Sequence, residues 1–390
     1  MLTKKYKPVI LLVSATAGFG HVKAGCDLAK KLEVRLPGYS IEHENLFEFA
    51  SPMQKFVFEK GWKIFSCWPG LRTIYSIIHK LLVSSDIAAN ILRPIYRRIG
   101  VEFEKKYWAR DLRAIIALHP GAAAVGVHLK NTRKNIFLGV VATDLVVHSF
   151  QSYSEVDVIY ADELAYLASH NARNASRLGK IIKTGLPVRS NSNAKTSMSS
   201  IIEKKVLVSF GAQGMRAEHS IDQILHTARH MTGVRFLFLC GKNQMLLRKL
   251  RQRIEDEELN NSISALGFRE DVEKLISHCA IVVGKPGGIT IGEVIAQSKP
   301  FVVIDYLPGQ EEYNIKALMK SGIGHLAETS EELLFIIQVY IGNKNATNVV
   351  PFYSRRVGGI DAIANSIESN VLLRNEDTAD KSSENIAFAD

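Results

Sequence analysis

Cysteine is scarce in this sequence. Only four cysteines occur among 390 residues, and no two of them form a CxxC pair. The spacing therefore predicts neither a zinc site nor a disulfide framework, and we expect reduced thiols in a cytoplasmic protein. Long apolar runs are also lacking, because no stretch approaches the roughly 18 uncharged residues of a membrane span. The first apolar run, residues 8–13, leads into a glycine loop, so we expect no signal peptide.

Several common catalytic motifs are missing as well. The sequence has no GxxxxGK[ST] phosphate loop, no GxGxxG dinucleotide loop, no GxSxG elbow and no HExxH motif. One close histidine pair, His226 and His230, has no third ligand near it in the sequence. We therefore expect no metal site.

Positive charge is in excess. Lys and Arg number 49 against 39 Asp and Glu, so the net charge is +10 and the pI is near 9.3. Such a balance is compatible with an anionic partner, whether nucleic acid, nucleotide or lipid. Nucleic-acid binding has only the charge in its favour, since no recognition motif accompanies it.

The excess is concentrated between residues 52 and 113, where twelve basic residues stand against five acidic ones, a net charge of +7. Aromatic residues are interleaved with these bases. The segment could lie against the headgroups of an anionic bilayer, or form core helices with solvated outer faces, and composition leaves both interpretations open. The residues that would meet a membrane are Trp62, Trp68, Arg72, Arg93, Arg97 and Arg98.

Short apolar runs alternate with helix-period segments along the chain, which is typical of parallel α/β domains. The alternation stops in a polar stretch and then restarts, which predicts two domains with a ligand cleft between them. We predict an N-terminal domain over residues 1–188, a linker over 189–203 and a second domain over 204–350. A C-terminal helix over 351–373 would return toward the first domain, and the acidic residues 374–390 would form a disordered tail.

The sharpest phosphate signal is "AIVVGKPGGITIGEVIA" in the second half. A buried strand is followed by Gly287 and Gly288 and by a helix that we expect to open near Thr290. A diphosphate could approach a backbone without Cβ atoms there, facing free N–H groups and the positive end of the helix. The alternative is a tight turn that binds nothing, with Glu293 stabilising only the helix dipole.

Two further polar groups follow strands. Gln310 and Glu311 lie in "YLPGQEEYN", at the strand edge where open α/β sheets bind ligands. They could hold sugar hydroxyls or decorate a Pro-Gly turn. Asp144 and His148, in "TDLVVH", could share a site or form a surface pair.

The opening strand runs into "SATAGFGHVKAG", residues 14–25, in which His21 follows two glycines at the start of a predicted helix. Taken alone, His21 is either an incidental polar residue or an imidazole placed in a cleft.

Together these motifs resemble the GT-B glycosyltransferases of the MurG and monogalactosyldiacylglycerol synthase type. "GFGH", "VVATDLVVHSF", "TGLPVR" and "SFGAQG" are similar to that family's motifs in order. "GKPGGITIGEVIAQSKPFVVIDYLPGQEEYN", residues 284–314, is the strongest match. The resemblance implies two Rossmann-like α/β domains facing across a cleft. It also implies transfer of a hexose from a UDP-sugar to a diacylglycerol-type lipid, with inversion and without an obligatory metal or cofactor.

The resemblance also implies where the protein acts and which residues do the work. It favours a peripheral location on the inner face of the cell membrane, with no nucleic-acid partner, and a polyprenyl-linked cell-wall precursor is the alternative acceptor. His21 and Asp144 would be catalytic, and His148 would lie on the acceptor side with the basic segment. The implied donor site consists of Gly20, Gly211, Gly214, Phe268, Lys285, Gly287, Gly288, Thr290, Glu293, Gln310, Glu311 and Asn314.

The chemistry of such a transfer fits His21. One base must deprotonate the incoming hydroxyl, and positive potential must receive the departing diphosphate. The dipole at a helix N-terminus disfavours the imidazolium, so His21 is expected to stay neutral and able to accept a proton.

Overall fold

The structure is a computed structural model, and it describes most of the chain. The described residues are 7–16, 19–61, 73–74, 76–77, 86–133, 135–147, 151–163, 165, 180–189, 204–214, 216–309, 311–342 and 359–387.

Two six-stranded parallel sheets form the framework. The strands of the first sheet are β1 (Val9–Ser14), β2 (Ser40–Asn45), β3 (Leu112–Ala117), β4 (Phe137–Val141), β5 (Val158–Ala161) and β6 (Lys180–Lys183). The strands of the second sheet are β7 (Lys205–Ser209), β8 (Arg235–Leu239), β9 (Ile263–Leu266), β10 (Ile281–Gly284), β11 (Phe301–Val303) and β12 (Gly324–Leu326).

Helices cover the strands of both halves. In the first half the described helices are α1 (Phe19–Arg35), α2 (Pro52–Phe56), α3 (Asp86–Tyr107) and α4 (Pro120–Thr132). In the second half they are α5 (Ile221–Arg229), α6 (Gln244–Asp256), α7 (Val272–Ser277), α8 (Gly288–Ala296), α9 (Glu312–Ser321) and α10 (Ser330–Gly342). A last helix is α11 (Gly359–Ala387). None of the helices described is long and apolar enough to cross a membrane.

The order of strands places a ligand crevice in each half. The first sheet runs β2-β1-β3-β4-β5-β6 and the second β12-β11-β10-β7-β8-β9. The direction of winding therefore reverses between β1 and β3 and between β7 and β10. Loops at such reversals diverge, and they leave a crevice at the carboxyl ends of the strands.

Alternating residues of the central strands fill cores on both faces of each sheet. In β1, for example, Val9 and Leu11 belong to one buried cluster and Ile10 and Leu12 to another. This double burial explains why the strands are continuous apolar runs in the sequence.

The C-terminal helix α11 packs on the first half of the chain. Ile360, Ile363 and Ile367 are buried in the same cluster as Leu28 of α1. The sequence predicted a helix ending at residue 373 and a disordered tail after it, whereas the structure describes one helix that continues to Ala387.

Candidate active site

A cavity of about 520 Å³ lies between the two halves of the chain. Its walls come from the first turns of α1 and α8, the segment after β4, and the loops that follow β7, β8 and β9. Both crevices therefore open into one space. Eleven residues predicted for the site line this cavity: Gly20, His21, Asp144, Gly211, Phe268, Lys285, Gly287, Gly288, Thr290, Glu293 and Glu311.

His21 lies in the first turn of α1 and is half-buried. Its Nδ1 is 2.9 Å from the Oγ1 of Thr143, and the ring also forms a hydrogen bond with the backbone of Leu118. Burial lowers the pKa of His21 below its ordinary value of 6.5, and the Asp144 carboxylate opposes that shift only in part. The imidazole is therefore neutral near pH 7 and can accept a proton. The direction agrees with the sequence prediction, but the main cause is burial rather than the helix dipole.

Asp144 is oriented by a residue of the opposite half. The Nδ2 of Asn314 donates to Asp144 Oδ1 at 3.1 Å and to the Pro286 carbonyl at 3.0 Å. The Oδ1 of Asn314 accepts from the Leu145 backbone N–H at 3.0 Å. Asn314 is fully buried. It does not line the cavity, and its side-chain amide is engaged by Asp144, Pro286 and Leu145.

The glycine pair after β10 has two different surroundings. A Cβ on Gly288 would overlap the carbonyl oxygen of Thr143 and lie 2.7 Å from Asp144 Oδ1. A Cβ on Gly287 would have only Thr290 Oγ1 near it, at 3.9 Å. Gly288 thus permits close contact between the halves, while Gly287 borders open space at the N-terminus of α8. That helix begins at Gly288, two residues earlier than the sequence predicted.

Two carboxylates of the predicted donor site already have cationic partners. Glu293 is buried and forms an ion pair with Lys23 of α1. Glu311 is also buried; its Oε1 is 2.5 Å from Lys285 Nζ, and its Oε2 accepts from the Leu307 N–H at 2.7 Å. Burial raises the pKa of Glu293 above its ordinary value, against the influence of Lys23.

An aromatic and cationic cluster closes another part of the cavity wall. The rings of Phe19 and Phe268 meet edge to face, with centroids 5.8 Å apart. The Lys242 ammonium lies 3.9 Å from the centroid of Phe19 and 5.0 Å from that of Phe268. Such contacts stabilise by about 0.5–2 kcal/mol. Because Phe19 belongs to the first half and the other two to the second, this cluster also joins the halves.

Comparisons with known proteins agree with this geometry. No protein-family model matches the sequence. The chain is 23% identical over 360 residues to the processive diacylglycerol beta-glucosyltransferase of Staphylococcus carnosus, a match that covers 89% of this chain and 87% of that protein. It is 22% identical to the Bacillus mycoides protein of the same name, with 84% of each chain covered.

Solved structures extend the likeness to the whole fold. Acinetobacter baumannii MurG superposes with a TM-score of 0.59 at 15% identity, covering 93% of this chain and 99% of MurG. A Medicago truncatula protein complexed with UDP-glucose superposes with a TM-score of 0.58 at 11% identity, covering 94% of this chain and 98% of that one. This chain has the GT-B fold. The two facing Rossmann-like domains that the motifs implied are confirmed.

Some predicted residues lie away from the GT-B cleft or outside the described residues. Gly214 does not line the cavity; it has a φ of +57°, and a Cβ there would overlap the Cys240 carbonyl oxygen, so its role is in the turn. Arg93, Arg97 and Arg98 are exposed on α3, and Arg93 pairs with Glu155 at 3.1 Å. Outside the described residues lie Trp62, Trp68, Arg72, His148 and Gln310.

The GT-B cleft also contains residues that the sequence reasoning missed. Lys23, Thr143 and Lys242 contact predicted site residues from other parts of the fold. His119, which caps α4 by accepting from Gly121 N–H at 3.1 Å, meets the His21 ring at a centroid distance of 5.2 Å. Thr143, His119 and Lys242 closely follow strands, which hinted at a role, whereas Lys23 lies in the second turn of α1 and gave no such signal. Within the described part of the chain, no group of three His, Cys, Asp or Glu residues could hold a metal ion.

Proposed function

We propose that this chain transfers a hexose from a UDP-sugar to a diacylglycerol-type lipid, with inversion, at a membrane surface. One observation carries the proposal: the imidazole of His21, whose pKa is lowered by burial, shares a cavity with the glycine-flanked N-terminus of α8. A base and an anion-receiving helix end are the two groups that this transfer requires.

The nature of the substrates is supported by the comparisons. The relatives with sequence similarity over most of the chain are named processive diacylglycerol beta-glucosyltransferases. A protein of the same fold was solved with UDP-glucose. These names favour a nucleotide-sugar donor and a diacylglycerol acceptor for this chain.

The proposed reaction is one displacement at the anomeric carbon of the sugar. His21 removes the proton from the lipid hydroxyl as the oxygen attacks, a new C–O bond forms, and the bond to the diphosphate breaks with its electron pair. Asp144 stabilises the imidazolium that results, because its carboxylate raises the pKa of His21. Base catalysis of this kind contributes about 10² to 10⁴ in rate.

The leaving diphosphate would be received by the first turn of α8. The first backbone N–H groups of a helix have no partner within it, and the Gly287 cap has no side chain to cover them. Gly287 and Thr290 border the open space there. This positive potential is the reason that we expect no obligatory metal, and transfer of labelled sugar to lipid in the presence of a chelator tests that expectation.

The remaining donor residues are assigned by position. Glu293 would hold the ribose, Phe268 would lie against the base, and Glu311 with Gln310 would bind the sugar hydroxyls. The Leu307 N–H donates to Oε2 of Glu311 and Lys285 donates to its Oε1, so sugar hydroxyls would share these oxygens with those donors. Asn314 would act indirectly, by fixing Asp144.

We propose that the outer face of the first half contacts the membrane. Arg97 and Arg98 are exposed on α3, and Met53, Phe56 and Val57 are large exposed apolar residues in and beside α2. Basic residues near an anionic surface contribute about 1 kcal/mol each, and apolar side chains add burial among the headgroups.

A labelled-substrate assay tests the function directly. Purified protein is incubated with a panel of labelled UDP-sugars and diacylglycerol vesicles, and lipids are then extracted. We expect label in the lipid phase with one of the UDP-hexoses, and transfer about 10² to 10⁴-fold slower with a His21→Ala variant. Label transferred only to a polyprenyl-linked precursor in a parallel tube would favour the alternative acceptor. Transfer to neither acceptor would refute the proposal.

A further inference from the structure

Three charged residues connect the two halves beside the cavity. Lys23 of α1 forms an ion pair with Glu293 of α8, and its Nζ is 3.0 Å from Glu273 Oε1 on α7. We call these three residues the Lys23 clasp. The side chain of Glu293 is 6% exposed, whereas Lys23 is 29% exposed and Glu273 20%.

The Lys23 clasp engages the Glu293 carboxylate, which the donor would need. Glu293 is the residue assigned above to the ribose, and Lys23 and Glu293 both line the cavity. A buried carboxylate must keep a partner, because an unpaired buried charge is strongly unfavourable. In this structure that partner is the Lys23 ammonium. The ammonium contacts Glu293 through Oε1, so ribose hydroxyls that bind this oxygen must compete with it.

The surroundings allow such an exchange. Glu273 already contacts Lys23, so an ammonium that leaves Glu293 still has a carboxylate partner. Arg189, another cation that lines the cavity, forms its ion pair with Asp27, one turn further along α1, and interacts with Glu293 only at longer range. Burial works against the charge of Lys23, but the two carboxylates outweigh it and raise the pKa of the ammonium.

We propose that the Lys23 clasp is an autoinhibitory contact that covers Glu293 and is displaced by the ribose of an incoming nucleotide. This inference rests on the proposed function, because it takes Glu293 as the ribose ligand. Lys23 lies two residues after His21 in the same helix, and Gly20 packs against Ile289 at the start of α8. Displacement of Lys23 therefore acts on the turn that carries the proposed base.

Calorimetric titration with UDP tests the clasp. Lys23→Met removes the ion pair with Glu293, so nucleotide binding no longer has to break it. We expect UDP to bind about tenfold more tightly than to the wild type, equivalent to about 1.4 kcal/mol. Lys31→Met is the matched control. Lys31 is on the same helix and pairs with Asp361 of α11, away from the cleft, so its loss should leave UDP affinity unchanged.

Glu273→Gln supplies a second test, in which UDP affinity should change in the opposite direction to that in Lys23→Met. This variant keeps the Lys23–Glu293 pair, so it preserves the folded cleft, but it removes the partner that receives Lys23 after displacement. UDP should bind about threefold more weakly, and the effect should vanish in the Lys23→Met background, because Glu273 acts only through Lys23.

The outcomes separate this proposal from the proposed function. Equal UDP affinity in wild type and Lys23→Met would overturn the clasp and leave the function standing. Weaker binding by Lys23→Met would also overturn it, since Lys23 would then be a ligand of the nucleotide. If neither protein bound UDP, the donor class and the clasp would both be wrong.

Discussion

The side-chain amide of Asn314 donates to the Asp144 carboxylate at 3.1 Å, and this bond crosses from the second half of the chain to the first. The same amide group bonds to the Pro286 carbonyl, and its oxygen accepts from the Leu145 N–H. One buried residue therefore holds the segment after β4 against the turn before α8. The relative position of the two proposed catalytic elements depends on it.

Asn314→Ala should lower stability because it leaves the Leu145 N–H and the Pro286 carbonyl without this partner. Leaving a buried polar group unsatisfied costs about 1–3 kcal/mol. Urea denaturation followed by circular dichroism measures the loss. Asn370→Ala is the control, since Asn370 is half-buried and donates only within α11. A variant Asn314→Ala as stable as this control would show that the cross-cleft bonds contribute little.

His21→Ala should reduce turnover about 10² to 10⁴-fold while UDP affinity changes little, because the imidazole acts on the acceptor hydroxyl. Transfer of label to lipid measures turnover, and calorimetry measures affinity. His278→Ala, which removes an exposed histidine outside the cavity, should behave as wild type. Near-normal turnover in His21→Ala would make His21 a structural residue at the start of α1.

The pH dependence of kcat/KM should report the protonation of the His21 imidazole. Burial lowers its pKa, so activity should persist below pH 6.5 and fall as the pH drops through the lowered value. The same shift favours the folded state above pH 6.5, and that contribution is lost as the pH falls from 6.5 toward the folded-state pKa.

Asp144→Asn should shift the acidic limb of the pH–rate profile, where activity falls as the pH drops, to lower pH. The Asp144 carboxylate raises the pKa of His21, and asparagine removes that charge while it can still accept from Asn314. A pH–rate profile measures the limb. Complete loss of activity at every pH in Asp144→Asn would instead identify Asp144 as the base.

Gly288→Ala should destabilise the closed arrangement of the halves, because its Cβ would overlap the Thr143 carbonyl. Overpacking of this kind costs about 1–3 kcal/mol. Gly287→Ala is the matched variant: its φ of −69° suits alanine and its Cβ has space, so Tm should stay near that of the wild type. UDP affinity should nevertheless fall in Gly287→Ala, since the methyl group enters the proposed diphosphate site. Unchanged UDP affinity would remove Gly287 from that site.

Charge reversal at Arg97 and Arg98 should weaken binding to anionic vesicles. Both side chains are exposed on α3, and each contributes about 1 kcal/mol near an anionic surface. Co-sedimentation with anionic and neutral vesicles measures the effect. The control reverses Arg248 and Lys249, an exposed pair on α6 of the second half. Equal losses in both variants, or no preference for anionic vesicles, would contradict a specific membrane face.

Most of the framework was predictable from local sequence. Ten of the twelve strands coincide with short apolar runs in the sequence, because strands buried on both faces must be continuously apolar. The two that were missed are β2, "SIEHEN", and β12, "GHL". Each lies at the edge of its sheet, where polar residues are tolerated and the apolar signal is lost.

The sequence by itself determined the type of fold, the glycine turns and the candidate residues just after the strands, because periodicity and turn chemistry are local properties. It also pointed to His21, Asp144 and Glu293 as groups for one cleft. Only the tertiary structure decided what those groups contact. Lys23 meets Glu293, and Asn314 meets Asp144, across separations of 270 and 170 residues. Such partners are set by how two domains face each other, and no local pattern in either domain encodes that contact.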